Sequence, residues 1–288
     1  MHALVGWPKP GPEARGIPWK LSYPLSESMP LTSLLLEPPN PRVRQVVVPP
    51  LGMVCVAWVD LTRPVSSHLL ARLRNRLTPD EQARADRFRF DADRNAFVIG
   101  RSLMRGALGR LLHRPAAEVP LVMGPHGRPE LVEGMLPRAP SFNVSHTREM
   151  LGFALSHSTV GLDVEAFRRD PDPMTVGAQV FSARELARLG TLSGEAQREL
   201  FRRLWTLKEA YLKARGTGFS LPAREVTCEL EPGQPPRLSF TERVHDAPER
   251  WHCAELRPNP RTWAAVCAEL PSGLSLDVEE VWSVVPED

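Results

Sequence analysis

The sequence predicts a mixed α/β (α+β) protein made of two similar α/β halves. The chain has 288 residues, enough for one large domain or two ordinary ones with a real hydrophobic core. Its hydrophobic content of 42% and charged content of 24% are typical of a globular protein. Two stretches, about 53–155 and about 160–268, each predict a strand, then helices, then several strands. This shared order indicates an ancient duplication, although no residue-level repeat is detectable.

Residues 1–45 differ from the rest because prolines recur too often for any regular element. These prolines are Pro8, Pro10, Pro12, Pro18, Pro24, Pro30, Pro38, Pro39 and Pro41. Proline lacks a backbone N–H and cannot continue a helix, so we interpret residues 1–45 as an irregular extension without catalytic groups. We assign residues 46–158 to an N-terminal half and residues 159–288 to a C-terminal half.

The first half is predicted to begin with a strand near Met53–Val59. Thr78 is a good helix N-cap, and Pro79 and the acids after it suit the first helical positions. The helix that follows is expected to run to about His113, with a break near Asp91. The other predicted elements are a helix near Ser66–Arg76 and strands near Leu121–Met123, Glu130–Val132, Ser141–Val144 and Leu151–Leu155.

The second half is predicted to repeat this order. Its elements are a strand at Val160–Glu165, helices near Pro173–Val180, Ala183–Leu189 and Glu195–Arg215, and strands near Glu225–Leu230, Arg237–Phe240, Cys253–Leu256 and Thr262–Ala268. The acidic residues from Glu279 onward predict a solvated chain end.

Charge, cysteines and hydropathy exclude several classes of protein. A net charge of only +2, without an aromatic and basic platform, argues against a nucleic-acid binder. No apolar run approaches the ~18–20 residues needed to cross a membrane, and we expect a cytoplasmic protein. The cysteines lack metal-ligand or redox-motif spacing, so we expect buried thiols in a reducing compartment; they are Cys55, Cys228, Cys253 and Cys267.

The predicted strand Val160–Glu165 alternates strictly between apolar and other residues. Asp163 and Glu165 therefore lie on one face with Gly161, about 6.6 Å apart along the strand. Two like charges on one face repel unless a cation lies between them. The segment alone also fits a half-exposed strand with a solvated polar face.

A second pair of charged residues lies on the predicted helix near Glu195–Arg215. Only four of the 36 basic residues are Lys, and two of them, Lys208 and Lys213, are on this helix. Glu209 and Lys213 are helical neighbours, ~140–180° from the centre of the apolar stripe. That stripe is Leu200, Leu204, Leu207 and Tyr211. The pair alone also fits a surface ion pair.

Taken together, the two segments meet the needs of a magnesium and phosphate site. Magnesium prefers hard oxygen ligands and usually takes a few carboxylates with substrate phosphates and water. Asp163, Glu165 and Glu209 can supply the carboxylates, and Lys213 can contact a phosphate that the metal leaves exposed.

The first half offers basic groups for the same ligand. Arg128 lies in a Gly-Arg-Pro turn before a strand, and Ser145 and His146 lie at the exit of the next strand. An imidazole can donate to phosphate oxygens. Arg84 is on the helix capped by Thr78. Each of these residues alone is also consistent with a structural histidine or a solvated arginine.

These motifs resemble the surfactin-type 4′-phosphopantetheinyl transferase family. The resemblance covers about residues 53–270 and rests on three blocks, whose order and spacing are specific: Phe142-Asn143-Val144-Ser145-His146, Gly161-Leu162-Asp163-Val164-Glu165 and Trp205-Thr206-Leu207-Lys208-Glu209-Ala210-Tyr211-Leu212-Lys213. The Gly127-Arg128-Pro129 turn and the segment Phe181-Ser182-Ala183-Arg184-Glu185 agree with supporting family motifs.

The resemblance implies a pseudo-dimer with coenzyme A in the cleft between its halves. It implies magnesium on Asp163, Glu165 and Glu209, and a phosphate contact for Lys213. It assigns three basic residues to the 3′-phosphate side of coenzyme A, with Ser145 beside them. These residues are Arg84, Arg128 and His146. At a second position early in the first helix, where the family has a basic residue, this chain has Glu81. The contact between that position and coenzyme A is therefore left open. Spacing also leaves open which other arginines reach the ligand; the candidates are Arg87, Arg94, Arg101 and Arg105.

The implied reaction is transfer of 4′-phosphopantetheine from coenzyme A to a serine of an apo acyl or peptidyl carrier protein, with release of adenosine 3′,5′-bisphosphate. We expect a monomeric enzyme with Glu209 as general base, acting directly or through a metal-bound water. A non-catalytic coenzyme A binder and another magnesium-dependent phosphotransferase are the alternatives. The sequence does not contain the Gly-rich phosphate loop of usual spacing that would support another phosphotransferase. The sequence does not identify the carrier protein or its pathway.

Overall fold

The computed structural model describes residues 49–124, 127–136, 139–166, 172–216 and 221–282. The proline-rich extension assigned to residues 1–45 lies outside the described residues. Helices and strands follow one another along the described part in two α/β sets, which confirms the mixed α/β class. Within the same ranges, no helix is both long and apolar enough to span a bilayer.

The first half follows the predicted order of elements. They are β1 (Met53–Asp60), α1 (Ser67–Arg74), α2 (Pro79–Asp86), α3 (Asp91–Leu112), β2 (Leu121–Met123), β3 (Pro129–Leu131), β4 (Ser141–His146) and β5 (Met150–Ser156). The predicted cap and break are confirmed. The Thr78 hydroxyl accepts from the Glu81 N–H, and the Glu81 carboxylate accepts from the Thr78 N–H. A separate helix, α3, then begins at Asp91 and buries Ile99 and Leu103 in the core of this half.

The second half also matches its predicted elements. They are β6 (Val160–Ala166), α4 (Pro173–Val180), α5 (Ala183–Gly190), α6 (Gly194–Arg215), β7 (Val226–Glu229), β8 (Arg237–Phe240), β9 (Trp251–Asn259) and β10 (Thr262–Glu269). The predicted apolar stripe of α6 is confirmed, since each of its residues is buried in the core of this half. Helix α6 also packs against β6 and β10 of the same half.

The two halves share one sheet topology. In each half the first strand pairs with the last, which in turn pairs with the strand before it: β1-β5-β4 and β6-β10-β9, all antiparallel. Each half also contains a small hairpin, β2–β3 or β7–β8, and a 22-residue helix, α3 or α6. The predicted pseudo-dimer is therefore confirmed at the level of topology.

Side-chain oxygens of β4 link the two sheets at their meeting edges. Alternate residues of β4 accept hydrogen bonds from alternate N–H groups of β6. These bonds, 3.1–3.2 Å long, run from Val160 N–H to Ser141 Oγ, from Leu162 N–H to Asn143 Oδ1 and from Val164 N–H to Ser145 Oγ. They satisfy buried backbone donors that lie beyond the ladder of either sheet. Behind them, residues of both sheets, including Trp58 and Leu162, share one core.

The solvated chain end predicted from Glu279 onward is corrected in part: Glu279 and Glu280 are exposed but belong to a strand, and residues 283–288 lie outside the described residues. Asp277–Trp282 form β11, which pairs in parallel with β1 and extends the sheet of the first half. Glu280 accepts a hydrogen bond from Trp58 Nε1 at 2.7 Å. Val278 and Val281 are partly buried and pack against the cores on the two faces of the sheet, while the acids of this strand are exposed. This burial and the pairing hold an otherwise acidic strand in place.

A disulfide corrects the expectation of free thiols for two of the four cysteines. Cys253 on β9 and Cys267 on β10 face each other in register and are bonded, with Cα atoms 4.2 Å apart. Their separation in sequence carries no recognisable motif because the pairing depends on the register of the two strands. Cys55 and Cys228 are buried thiols, as expected.

Candidate active site

A cleft of about 400 Å³ lies between the two halves. One wall comes from α2, α3 and β4 of the first half, and the other from the last turns of α6. Charged or aromatic residues on the two walls are Arg84, Phe97, Arg101, Arg128, Phe142, His146, Glu209 and Lys213. The cleft thus has cations along the first wall, and a carboxylate and an ammonium on the second.

Gly161 explains how α6 comes so close to β6. A Cβ atom at this position would lie 2.1 Å from the carbonyl oxygen of Ala210 and 2.3 Å from the backbone nitrogen of Ala214. The helix backbone therefore rests directly on the strand, which only glycine permits. This close approach brings the charged face of α6 next to the carboxylates of β6.

Asp163 lies at the base of the site, with only 2% of its surface exposed. Its Oδ1 accepts from Lys213 Nζ at 2.5 Å and from Ser145 Oγ at 3.3 Å. Its Oδ2 is buried and has no hydrogen-bond partner among the described residues. A buried carboxylate oxygen is costly without a donor or a cation, so this atom marks where a positively charged ligand would be stabilised.

Glu165 and Glu209 both lie within electrostatic range of Asp163. Burial, and secondly the charge of Asp163, raise the pKa of Glu165 to about 7. The same two causes raise the pKa of Glu209. Trp205 Nε1 donates a hydrogen bond to Glu165 Oε1 at 3.1 Å and opposes part of this rise. A cation among these carboxylates would lower both pKa values.

The donor set fits a magnesium ion. As they stand, no three His, Cys, Asp or Glu side chains in the described part of the chain are gathered closely enough to hold a metal ion. Magnesium does not require such a cage, because it usually takes one or two carboxylates with substrate phosphates and water. The unpartnered Asp163 Oδ2 and the repulsion among the carboxylates are observations that a divalent cation would account for.

The raised pKa of Glu165 predicts how stability depends on pH without divalent cations. Between pH 4.5 and about 7 this carboxyl stays protonated when folded but ionises when unfolded. The folded state then binds more protons, so the free energy of unfolding should fall as pH rises through this window. We expect Glu165→Gln to flatten the curve and the exposed Glu118→Gln not to do so, in denaturant titrations at pH 5, 6 and 7.5. Identical curves for wild type and Glu165→Gln would contradict the assignment.

Comparison with known proteins now identifies the family. The profile of the 4′-phosphopantetheinyl transferase superfamily matches residues 159–267, and the profile described as 4′-phosphopantetheinyl transferase, N-terminal, matches residues 62–158. The 4′-phosphopantetheinyl transferase HetI of Nostoc sp. is 33% identical over 209 residues, which are 72% of this chain and 84% of HetI. The chain belongs to the 4′-phosphopantetheinyl transferase superfamily.

Two further proteins show the range of similarity. The 4′-phosphopantetheinyl transferase Sfp of Bacillus subtilis is 25% identical over 213 residues, 74% of this chain and 91% of Sfp. A crystal structure of a holo-(acyl-carrier-protein) synthase from Bacillus anthracis in complex with CoA (3′,5′-ADP) is 19% identical. The match covers 40% of this chain and 97% of the synthase chain, with a TM-score of 0.34.

In this phosphopantetheinyl transferase, several of the site residues predicted from the sequence lie on the two facing walls of the cleft. Arg84 and His146 line the first wall, and Glu209 and Lys213 line the second. Desolvation and the nearby Lys213 lower the pKa of His146, and Asp93 opposes part of this change. An anion bound beside the ring would raise the pKa again.

Arg128 also lines the cleft and Ser145 lies next to it, but both side chains are engaged by the protein. The guanidinium of Arg128 donates to oxygens of three elements: Lys213 O at 2.8 Å, Ser141 Oγ at 3.0 Å, Phe142 O at 2.8 Å and Val160 O at 3.1 Å. Ser145 is buried, accepts from Lys213 Nζ at 3.0 Å and donates to Asp163. Their contact with coenzyme A stays a prediction.

Sequence reasoning left one residue of the candidate site open and missed another. Among the four arginines left open by spacing, only Arg101 is a described lining residue of the cleft. Trp205, which donates to Glu165, carried no signal because the two residues are 40 positions apart in sequence. Only the approach of α6 to β6 brings them together.

Proposed function

We propose that this protein is a magnesium-dependent enzyme that transfers 4′-phosphopantetheine from coenzyme A to a serine of an acyl or peptidyl carrier protein. Adenosine 3′,5′-bisphosphate is the second product. The observation that carries the proposal is the cluster of Asp163, Glu165, Glu209 and Lys213 at one end of a cleft whose opposite wall is cationic. A ligand with a pyrophosphate and a separate phosphate matches both ends.

The reaction is a displacement at phosphorus. The serine hydroxyl of the carrier attacks the β-phosphorus of coenzyme A, to which pantetheine is attached. The bond from this phosphorus to the bridging oxygen breaks, and the bisphosphate leaves. Negative charge develops on the bridging and non-bridging oxygens, so fixed positive charge next to them lowers the barrier.

Each of the four charged side chains in this cluster has a role in the step. Asp163, Glu165 and Glu209 would hold a magnesium ion, which supplies charge neutralisation on the pyrophosphate when bound. Asp163 and Ser145 hold the Lys213 ammonium at 2.5 and 3.0 Å, where it can meet a phosphate oxygen. Glu209, whose pKa is raised, accepts the serine proton directly or through a water.

Intact mass measurement of carrier proteins is the decisive experiment. Several apo carrier proteins are incubated with the enzyme, coenzyme A and Mg²⁺, and the bisphosphate is quantified in parallel. A mass gain of one phosphopantetheine, dependent on Mg²⁺ and matched by bisphosphate release, is expected for at least one carrier. Binding of coenzyme A without either product would favour a non-catalytic binder instead.

Lys213→Arg should reduce the rate of transfer although it preserves the charge. The ammonium is a compact point charge within hydrogen-bond distance of Asp163 Oδ1 and Ser145 Oγ, whereas guanidinium is a larger planar fork. We expect a loss of roughly tenfold or more in kcat/KM, because a misplacement of about 1 Å can cost 10²-fold. Steady-state kinetics on a modified carrier test this. Unchanged kinetics in a folded variant would remove the argument for lysine.

A further inference from the structure

The last turn of α6 has two sides that face different parts of the molecule. Leu212, Lys213 and Gly216 line the cleft. Tyr211 and Arg215 are helical neighbours, four residues apart, and each is two residues from Lys213, about 200° away around the helix axis. A group that holds Tyr211 and Arg215 therefore sets the direction in which Lys213 leaves the helix.

Asp246 holds that second side of the turn. It lies between β8 and β9, and only 1% of its side chain is exposed. Its Oδ2 accepts hydrogen bonds from the Tyr211 hydroxyl at 3.1 Å and from Arg215 Nη1. The same oxygen accepts from Trp251 Nε1, at the start of β9, at 2.7 Å. One carboxylate oxygen thus joins the last turn of α6 to the edge strand of the sheet that carries Asp163.

The Asp246 carboxylate is charged although its side chain is buried. Burial by itself would raise its pKa, but the bonds from Ala247 N–H and Trp251 and the charge of Arg215 outweigh this and hold the pKa below its ordinary value. Moving any of these donors away would leave a buried charge less well compensated, which is costly. The carboxylate is therefore a stiff anchor for the groups that it binds.

Aromatic packing restricts the same turn. The Tyr211 ring is fully buried. The Trp251 ring meets it edge-on, with centroids 5.1 Å apart, and the Phe240 ring lies at 5.2 Å. These contacts fix the place of the Tyr211 hydroxyl, so its bond to Asp246 defines how the turn is rotated about the helix axis.

A second ion pair between α6 and β9 provides a comparison. Arg203 donates through Nε and Nη2 to the two oxygens of Glu255, both at 2.7 Å. Arg203 precedes Lys213 by ten residues, about 15 Å along the helix. This pair joins the same two elements but does not touch the last turn. If Asp246 served stability alone, the two acids would be equivalent.

We propose that Asp246 is a positioning residue for the transfer reaction: through Tyr211 and Arg215 it fixes the last turn of α6 and so holds Lys213 where its ammonium meets the transferred phosphate. This inference rests on the proposed function, because Asp246 acts only through Lys213. Asp163 and Ser145 contact the ammonium itself, whereas Asp246 holds the backbone from which the lysine side chain starts. Charge that is fixed before the reaction is the kind that lowers the barrier.

The test is a double-mutant cycle between Asp246→Asn and Lys213→Ala, with kcat and KM measured by intact mass on a carrier that the wild type modifies. Asparagine keeps the shape of the side chain but loses the charge that pairs with Arg215. We expect kcat to fall about tenfold, because a displacement of about 1 Å can cost 10²-fold and this one is smaller. With Lys213 already replaced by Ala, the same substitution should cost less than about twofold, since residues that act through one group are not additive. The KM for the carrier should stay within about twofold of wild type, because Asp246 does not line the described cleft.

Two further variants separate positioning from stability. Tyr211→Phe keeps the ring contacts and removes one hydrogen bond, so kcat should fall about two- to fivefold, and this loss should also vanish when Lys213 is Ala. Glu255→Gln is the matched control. It should lower the temperature of thermal unfolding but change kcat by less than about twofold, and equally in both backgrounds. Tyr211→Phe carries the cycle if Asp246→Asn does not fold.

Two outcomes would overturn the inference. One is a loss of kcat by the same factor with and without Lys213, and the other is full activity of a folded Asp246→Asn. Asp246 would then stabilise the fold without positioning the lysine. Failure of the proposed function looks different: the wild type then modifies no carrier, and the inference falls with it.

Discussion

Glu209→Gln should bind coenzyme A almost normally but transfer phosphopantetheine about 10²–10⁴-fold more slowly than wild type. Glutamine keeps the shape of the side chain and its contacts with the cleft wall, but it cannot accept the proton of the attacking serine. The raised pKa of Glu209 suits this role, because burial and Asp163 bring its proton affinity closer to that of a base working near neutral pH. Single-turnover kinetics on an apo carrier at saturating coenzyme A measure the effect.

The control separates the base from a metal ligand. Glu199 lies on the same helix, is exposed and is absent from the described lining of the cleft, so Glu199→Gln should be as active as wild type. If Glu209 were only a ligand, higher Mg²⁺ concentrations would restore the rate of Glu209→Gln. We expect no such rescue. A variant that transfers at a near wild-type rate would show that another group takes the proton.

Local patterns in the sequence predicted most of the fold, because each of these elements depends on residues that are close together in the chain. The Thr78 capping box needs only the residues up to Glu81, and the apolar stripe of α6 needs only helical spacing. The features that the sequence patterns did not predict depend on partners far away in the chain. β11 is held by β1, more than 200 positions away, as the bond from Trp58 to Glu280 illustrates. Its acidic composition, read locally, favours solvent.

The candidate site was predictable to the extent that its residues cluster in short motifs. Asp163 and Glu165 are fixed by strand alternation, and Glu209 and Lys213 by helical neighbourhood. The sequence could not show which of the cationic side chains are already hydrogen-bonded to other groups of the protein. Arg128 looks like a free ligand of phosphate in sequence, yet its acceptors come from three elements that meet only after folding.

Glu81 illustrates the same limit from the opposite side. In sequence, an acid at a position where a base was expected suggests a lost contact with the ligand. In the structure its charge is bound by Arg105, 24 residues later, on the neighbouring helix α3. Glu81 therefore stabilises the first wall of the cleft, which carries Arg101. This wall remains cationic although an acid stands where a base was expected.

Gly161→Ala should have the largest effect on stability and should also abolish most activity. The new Cβ would lie 2.1 Å from Ala210 O and 2.3 Å from Ala214 N, and backbone atoms of a helix cannot rotate away as a side chain can. Helix α6 must then move away from β6, and overpacking of this kind costs about 1–3 kcal/mol or more. A shift of about 1 Å would separate Glu209 and Lys213 from Asp163, which can cost another 10²-fold in rate.

Gly190→Ala is the matched control for this substitution. A Cβ at Gly190, at the end of α5, would meet only the methyl carbon of Met174 at 3.8 Å, an ordinary contact. Urea denaturation should show a clear loss of stability for Gly161→Ala and almost none for Gly190→Ala, with transfer rates following the same order. Equal stability and activity in both variants would mean that α6 does not need to touch β6. The placement of Glu209 and Lys213 would then require another explanation.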